Sequence, residues 1–175
     1  MKKYEFTGKT IIVDGRTLKQ IKRLSDRLIG GYIESESNLS HYDSCFVYDN
    51  ACVYGDACVS DNANVYDNAS VYGYAYVSGN DSVYGNARVF GNARVSGNAC
   101  VSGNATATGR VITSNAHKYH ITITDNYIAI GCENHPIEYW KKNINKIANE
   151  YKYTAKELRA LKILLNALLI QRKLG

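Results

Sequence analysis

Four histidines are the side chains of this chain best suited to proton transfer: His41, His117, His120 and His135. Imidazole titrates near neutral pH, so any of them could act as a general base or hold a metal. Their spacing argues against a shared task. His117 and His120 are three residues apart in an expected strand, which sends them to opposite faces, so neither a metal pair nor a dyad is expected there. Five cysteines (Cys45, Cys52, Cys58, Cys100 and Cys132) form an odd set with no CxxC pair. With no apolar export signal at the start of the sequence, free thiols in a reducing compartment are the expectation, and zinc is not. Asp43, Asp49, Asp61 and Asp67 fall at expected chain corners, where Asp is first a turn former. There is no P-loop, dinucleotide fingerprint or nucleophile elbow. The residues therefore assign no catalytic group, no cofactor and no metal.

What positions these side chains is a repeat of six. Val recurs at 47, 53, 59, 65, 71, 77, 83, 89, 95 and 101, and Ala follows four places after each, with Asp81 as the one exception. A polar pair of Gly or Asp then Asn or Asp lies between them in most repeats. Six residues at about 100° each would smear the valines around a helix. Short strands with corners fit instead: Ala51 and Val53 are two apart and share a strand face, and Gly-Asn or Asp-Asn supplies the turn. Three strands make a coil of eighteen residues, and coils stack at ~4.8 Å. HYDSCF at 41–46 reads as a degenerate first repeat and ATG at 107–109 as a fading last one.

Eighteen-residue stacking predicts three faces. The first carries Tyr48, Tyr66 and Tyr84 beside Phe46, Asn64 and Ser82; the second carries Tyr54, Tyr72 and Phe90 beside Cys52, Ser70 and Arg88. The third carries Ser60, Ser78 and Ser96 beside Cys58, Tyr76 and Arg94. Two faces are thus aromatic ladders and one is mostly hydroxyl. The ladders can stabilise the stack as cross-strand neighbours, and they can also form a solvent-facing recognition surface or oligomer interface, with Arg88 and Arg94 beside them. The single serine rank lacks the two Thr ranks of ice-binding β-helices.

Around the repeats the chain divides into three expected parts: a cap at 1–40, the β-helix at 41–109, and a unit of one hairpin and two helices at 110–175. In the cap, KYEF and TIIV are strand candidates, and TLKQIKRL could be strand or short helix. After the repeats, HKYHITIT and NYIAIGC flank Asp125-Asn126 as a hairpin. A helix is expected from Pro136, and Thr154 with Glu157 forms a capping box for a second. Leu158, Leu161, Leu165 and Leu168 mark its apolar stripe, which must pack within the chain or against another copy. No apolar run approaches the ~20 residues of a membrane span.

The Val/Ala pattern resembles that of the hexapeptide-repeat superfamily, which implies a mainly β fold built on a left-handed parallel β-helix. The opening KKYEFTG, GRTL at 15–18, GGYIESESNLS at 30–40, VYGNARVFGNARVSGNA and the hairpin-plus-helices tail further resemble small phage and prophage members of that group. The family usually has Trp where this chain has Tyr32 and Phe46. Many hexapeptide β-helices are acyltransferases using acetyl-CoA or acyl carrier protein, with a catalytic His at a subunit cleft. Here Val47–Thr106 holds no His and no inserted loop.

Charge is unevenly spread within a net of +5. The start and end are basic, the early coils acidic (Asp49, Asp56, Asp61, Asp67), and later coils carry Arg88 and Arg94. Because the acidic coils interrupt any basic stripe, direct nucleic-acid binding is the less favoured expectation. The favoured one is a non-enzymatic phage-type binding module acting on a host protein or complex. Its most specific form is an anti-CRISPR-like inhibitor in the host cytoplasm, assembled as a homo-oligomer (dimer or trimer). An acyltransferase and a virion structural or assembly protein are the alternatives.

Overall fold

The computed structural model describes residues 2–174. It opens with an antiparallel sheet of β1 (Tyr4–Val13), β2 (Arg16–Arg23) and β3 (Ile29–Ile33), so TLKQIKRL is strand. β3 then pairs in parallel with the next rung, Tyr32 on Cys52 and Ile33 on Val53. The antiparallel sheet and one face of the β-helix are therefore a single sheet. Gly30 and Gly31 permit that fit, because a Cβ at either would lie 2.6 or 2.5 Å from the carbonyl oxygens of Val47 and Ala51.

The parallel β-solenoid is built of two-residue rungs. Under β3 on the second face lie Cys52-Val53, Ser70-Val71, Arg88-Val89 and Thr106-Ala107. The third face stacks Cys58-Val59, Tyr76-Val77 and Arg94-Val95, with Leu39 bridging above and Arg110 below. The first face stacks Phe46-Val47, Asn64-Val65, Ser82-Val83 and Cys100-Val101. From Phe46 to Ala107 each rung partner is eighteen residues away, as the repeat requires, whereas β3 and Leu39 pair at twenty and Arg94 with Arg110 at sixteen. The valines and alanines form one continuous buried column. The first coil reaches back before the expected start of the repeat: Ile33 and Leu39 occupy its first two inward positions, and both are fully buried. Cys45 then takes the place of an inward alanine above Ala63 and is likewise buried.

The corners turn on left-handed residues. Asp49, Asp61 and Asp67 have φ of 51°, 55° and 60°, and Gly55 and Gly73 have 69° and 73°. The aspartates also tie coils together: Asp49 accepts the Asp67 N–H (3.2 Å), Asp61 the Gly79 N–H (3.0 Å) and Asp67 the Gly85 N–H (3.0 Å). One corner adds a ladder of amides, Asn62 to Asn80 to Asn98.

Below the last coil comes a four-stranded antiparallel sheet: β4 (Ile112–Ser114), β5 (Ile121–Ile123), β6 (Tyr127–Ile130) and β7 (Glu133–Pro136). The β5–β6 hairpin turns at Asp125-Asn126 and binds the solenoid's open lower edge. Asn126 Oδ1 accepts the Thr106 N–H at 2.7 Å, and Asn134 Nδ2 donates to the Ser102 carbonyl at 2.9 Å. Two helices follow, α1 (Ile137–Glu150) and α2 (Ala155–Leu174). The capping box forms: Glu157 Oε2 accepts the Thr154 N–H at 2.7 Å, and the Thr154 hydroxyl accepts the Glu157 N–H at 3.2 Å. No helix among the described residues is long and apolar enough to cross a membrane.

Leu161, Leu165 and Leu168 pack inside this unit against Ile121, Ile128, Trp140 and Ile147, and Leu158 is half-buried. The stripe expected as a possible oligomer face is thus occupied within the chain, because β5, β6 and α1 supply the apolar partner it needs.

Candidate interaction surface

In-register parallel rungs force like side chains on one face into stacks. The second face shows this fully: Tyr54 lies over Tyr72 and Tyr72 over Phe90, each pair with ring centroids 4.9 Å apart and planes within 3°. On the first face Tyr66 and Tyr84 stack at 5.0 Å.

One expected member, Tyr54, is covered, and Tyr48 is half-buried like the lower rings but not stacked. Tyr54 is only 5% exposed, because the β1–β2 hairpin lays Ile11, Val13 and Leu18 over it, and its hydroxyl donates to Asp14 Oδ2 at 2.8 Å. Burial, with the adjacent Asp14 carboxylate, pushes the Tyr54 phenol well above its usual range. Tyr48 packs edge-on against the fully buried Phe46, at 5.0 Å, and both sit under the Arg23 guanidinium. The N-terminal sheet therefore covers the top of the second-face ladder and lays Arg23 over the top of the first, and the lower part of each ladder is open. Tyr66, Tyr72, Tyr84 and Phe90 are half-buried there.

Arg88 is exposed and ordered by the ladder beside it. Its guanidinium lies 5.7 and 5.4 Å from the Tyr72 and Phe90 ring centroids, and Nη2 donates to the Tyr72 hydroxyl at 2.5 Å. Arg94 is exposed on the third face, with Arg110 one rung below it. Among the described residues none of these three arginines has a carboxylate partner. The third face is less purely hydroxyl than its serines suggest: Tyr76 stands out from its centre and shares a 2.9 Å hydrogen bond with Ser60.

The histidines stay apart from these faces. His41 stacks on Tyr4 at 4.2 Å and accepts the Lys3 backbone N–H at Nδ1 (3.2 Å), with Nε2 3.7 Å from Glu36. His117 and His120 lie before β5, in irregular chain where a strand was expected. His117 stacks on Tyr153, and His120 Nδ1 bonds the Asn115 side chain. His135 is in β7 and pairs with Glu133. All five cysteines are free thiols, and burial raises the pKa of Cys52 to about 11.

Asp81 is the functional-looking residue whose consequence the sequence pattern did not disclose. It replaces the inward alanine, is fully buried, and accepts the Ala99 N–H at 2.6 Å while Oδ2 has no partner among the described residues. The signal was present as the single break in the alanine series.

Two stretches of the chain, residues 83–97 and 93–109, match the YdcK beta solenoid repeat family model. No curated protein matches the chain. The matched stretches contain the rungs of Arg88, Arg94 and Thr106, and with the stacked coils around them they make this chain a β-solenoid repeat protein.

Proposed function

We propose that the chain is a non-catalytic protein-binding module that docks through the lower second face, at Tyr72, Arg88 and Phe90. The observation that carries this reading is the ordering of Arg88 across two stacked rings. Aromatic and Arg side chains are the groups most enriched at binding hot spots. Ordering them in the free protein lowers the entropy cost of association, about 0.5–1.5 kcal/mol per immobilised side chain. The Tyr66–Tyr84 ladder and Arg94 are further contact candidates on the other faces.

In its most specific form the module is a phage-encoded inhibitor of a bacterial defence system, anti-CRISPR-like, that binds and blocks a host protein complex in the cytoplasm. What supports that form is the resemblance of the opening, the GGYIESESNLS segment and the tail to phage proteins. Expression of the chain in a bacterium with active CRISPR immunity tests it. Plating of a targeted phage should rise, and Tyr72→Ala, Arg88→Ala or Phe90→Ala should reduce the rise and weaken capture of the effector complex. Unchanged immunity in the presence of the chain would refute the inhibitor, and full binding by all three variants would refute the face.

A further inference from the structure

We propose that the third face of the solenoid is a self-association surface, on which a second copy of this chain packs antiparallel about a two-fold axis through the Tyr74–Tyr76 level. The proposal is independent of the second-face reading above and uses different residues.

Three observations carry it. First, two exposed aromatics of the middle coils are gathered here: Tyr74 at the corner is 69% exposed and Tyr76 beside it 41%. The second and first faces keep their rings half-buried in stacks. Second, charge on this face is sorted along the rod. One rung above the tyrosines stand Asp56 and Asp61 on the bordering corners; one rung below stands Arg94, and Arg110 is below that. All four are exposed and none has an ion-pair partner among the described residues. Arg94 and Arg110 are moreover adjacent like charges on neighbouring rungs, an arrangement that a facing carboxylate relieves. Third, the pattern is self-complementary in only one orientation. An axis across the rod exchanges the rung above for the rung below, so Asp56 and Asp61 of one copy flank Arg94 of the other, with Arg110 one rung beyond and the tyrosines meeting at the centre. An axis along the rod would set carboxylates on carboxylates. A closed two-fold contact of this kind stops at the dimer.

About four rungs at ~4.8 Å, each about five extended residues of ~3.3 Å, give a face roughly 19 by 16 Å. That is small for a permanent interface, so the dimer is weak and concentration-dependent. Its exposed ion pairs make it weaken as salt shortens the screening length.

Sedimentation velocity on the full chain, across about a hundredfold range of concentration up to the millimolar, tests the proposal through charge exchange. The wild type should pass from monomer to dimer. Asp56→Arg and Arg94→Asp should each remain monomeric, since each places like charges opposite one another. An equimolar mixture of the two variants should dimerise again. In the mixed pair the site of Asp56→Arg faces the site of Arg94→Asp, and the unaltered Asp56 of one copy faces the unaltered Arg94 of the other, so both contacts join opposite charges. Circular dichroism and melting of each variant should match the wild type, so that loss of association is not loss of fold. A wild type that stays monomeric throughout overturns the proposal, including when a single-stranded DNA oligomer shifts it, which would assign the face to a polyanion. Dimerisation by either single variant as strong as the wild type's overturns it too, as does failure of folded variants to associate when mixed.

Discussion

The carboxylate of Asp81 reaches from inside one coil to the backbone N–H of Ala99 in the next, at 2.6 Å. At comparable corners the alanine N–H closes its own turn, as Ala63 does on Ser60 and Ala105 on Ser102. Here both Gly97 and Asn98 have left-handed φ, and the carboxylate takes over that bond. Complete burial raises the Asp81 pKa from 3.8 to about 6, against the pull of the surrounding N–H groups, Ala99 first.

A raised acid pKa in the fold means that the native state binds more protons than the unfolded chain between pH 3.8 and about 6. Stability from this group therefore falls as pH rises through that window, by about 3 kcal/mol in all. Asp81→Asn keeps the acceptor and removes the charge. The variant should gain about 1–3 kcal/mol over the wild type at pH 7.5 and little at pH 4. Urea midpoints at several pH values read the difference directly, and parallel pH profiles for the two proteins would refute the assignment.

Corner chemistry gives a second expectation. Gly73 has φ +73°, and a Cβ there would lie 3.0 Å from the Gly91 nitrogen. Gly73→Ala should lose about 1–3 kcal/mol to backbone strain and this contact. Gly73→Asp should lose less, although Asp is larger. Asp67 occupies the same kind of position and spends its carboxylate on the N–H of the corner below. Thermal melts of the two variants decide the matter: an Asp variant less stable than the Ala variant would show that the carboxylate bridge adds nothing.

The repeat was legible because each inward position is reused every six residues, so periodicity alone assigns the rungs, corners and faces. The first coil was harder to see. Ile33 and Leu39 keep the six-residue step, but eight residues separate Leu39 from Val47, and the extra pair falls in the turn around Asp43, itself left-handed at φ 55°. The covering of Tyr54 was not legible either. Ile11, Val13 and Leu18 show only that a hairpin has apolar faces, and which outer surface it meets is decided by β3 joining the solenoid sheet edge to edge. The histidine strand failed for a local reason: SNAHKYH carries the polar and small residues of a loop, and the alternation that marks a strand begins at Ile121.

The apolar surface of α2 gives the last expectation. Leu161 is 2% exposed in the core formed with β5, β6 and α1, whereas Ile163, two residues on, is 63% exposed. A carboxylate at 161 would be buried among Ile, Leu and Trp side chains with nothing to pair it, at a cost of several kcal/mol. Leu161→Asp should therefore unfold the C-terminal unit or leave the protein insoluble. Ile163→Asp should stay within about 0.5 kcal/mol of the wild type. The pair separates an internal core from an intermolecular seam. Were the leucine stripe a seam between copies, Leu161→Asp would yield a soluble, folded monomer. Hydrogen exchange at β5 and β6 distinguishes the cases, because loss of the core exposes their amides while loss of a partner leaves them protected.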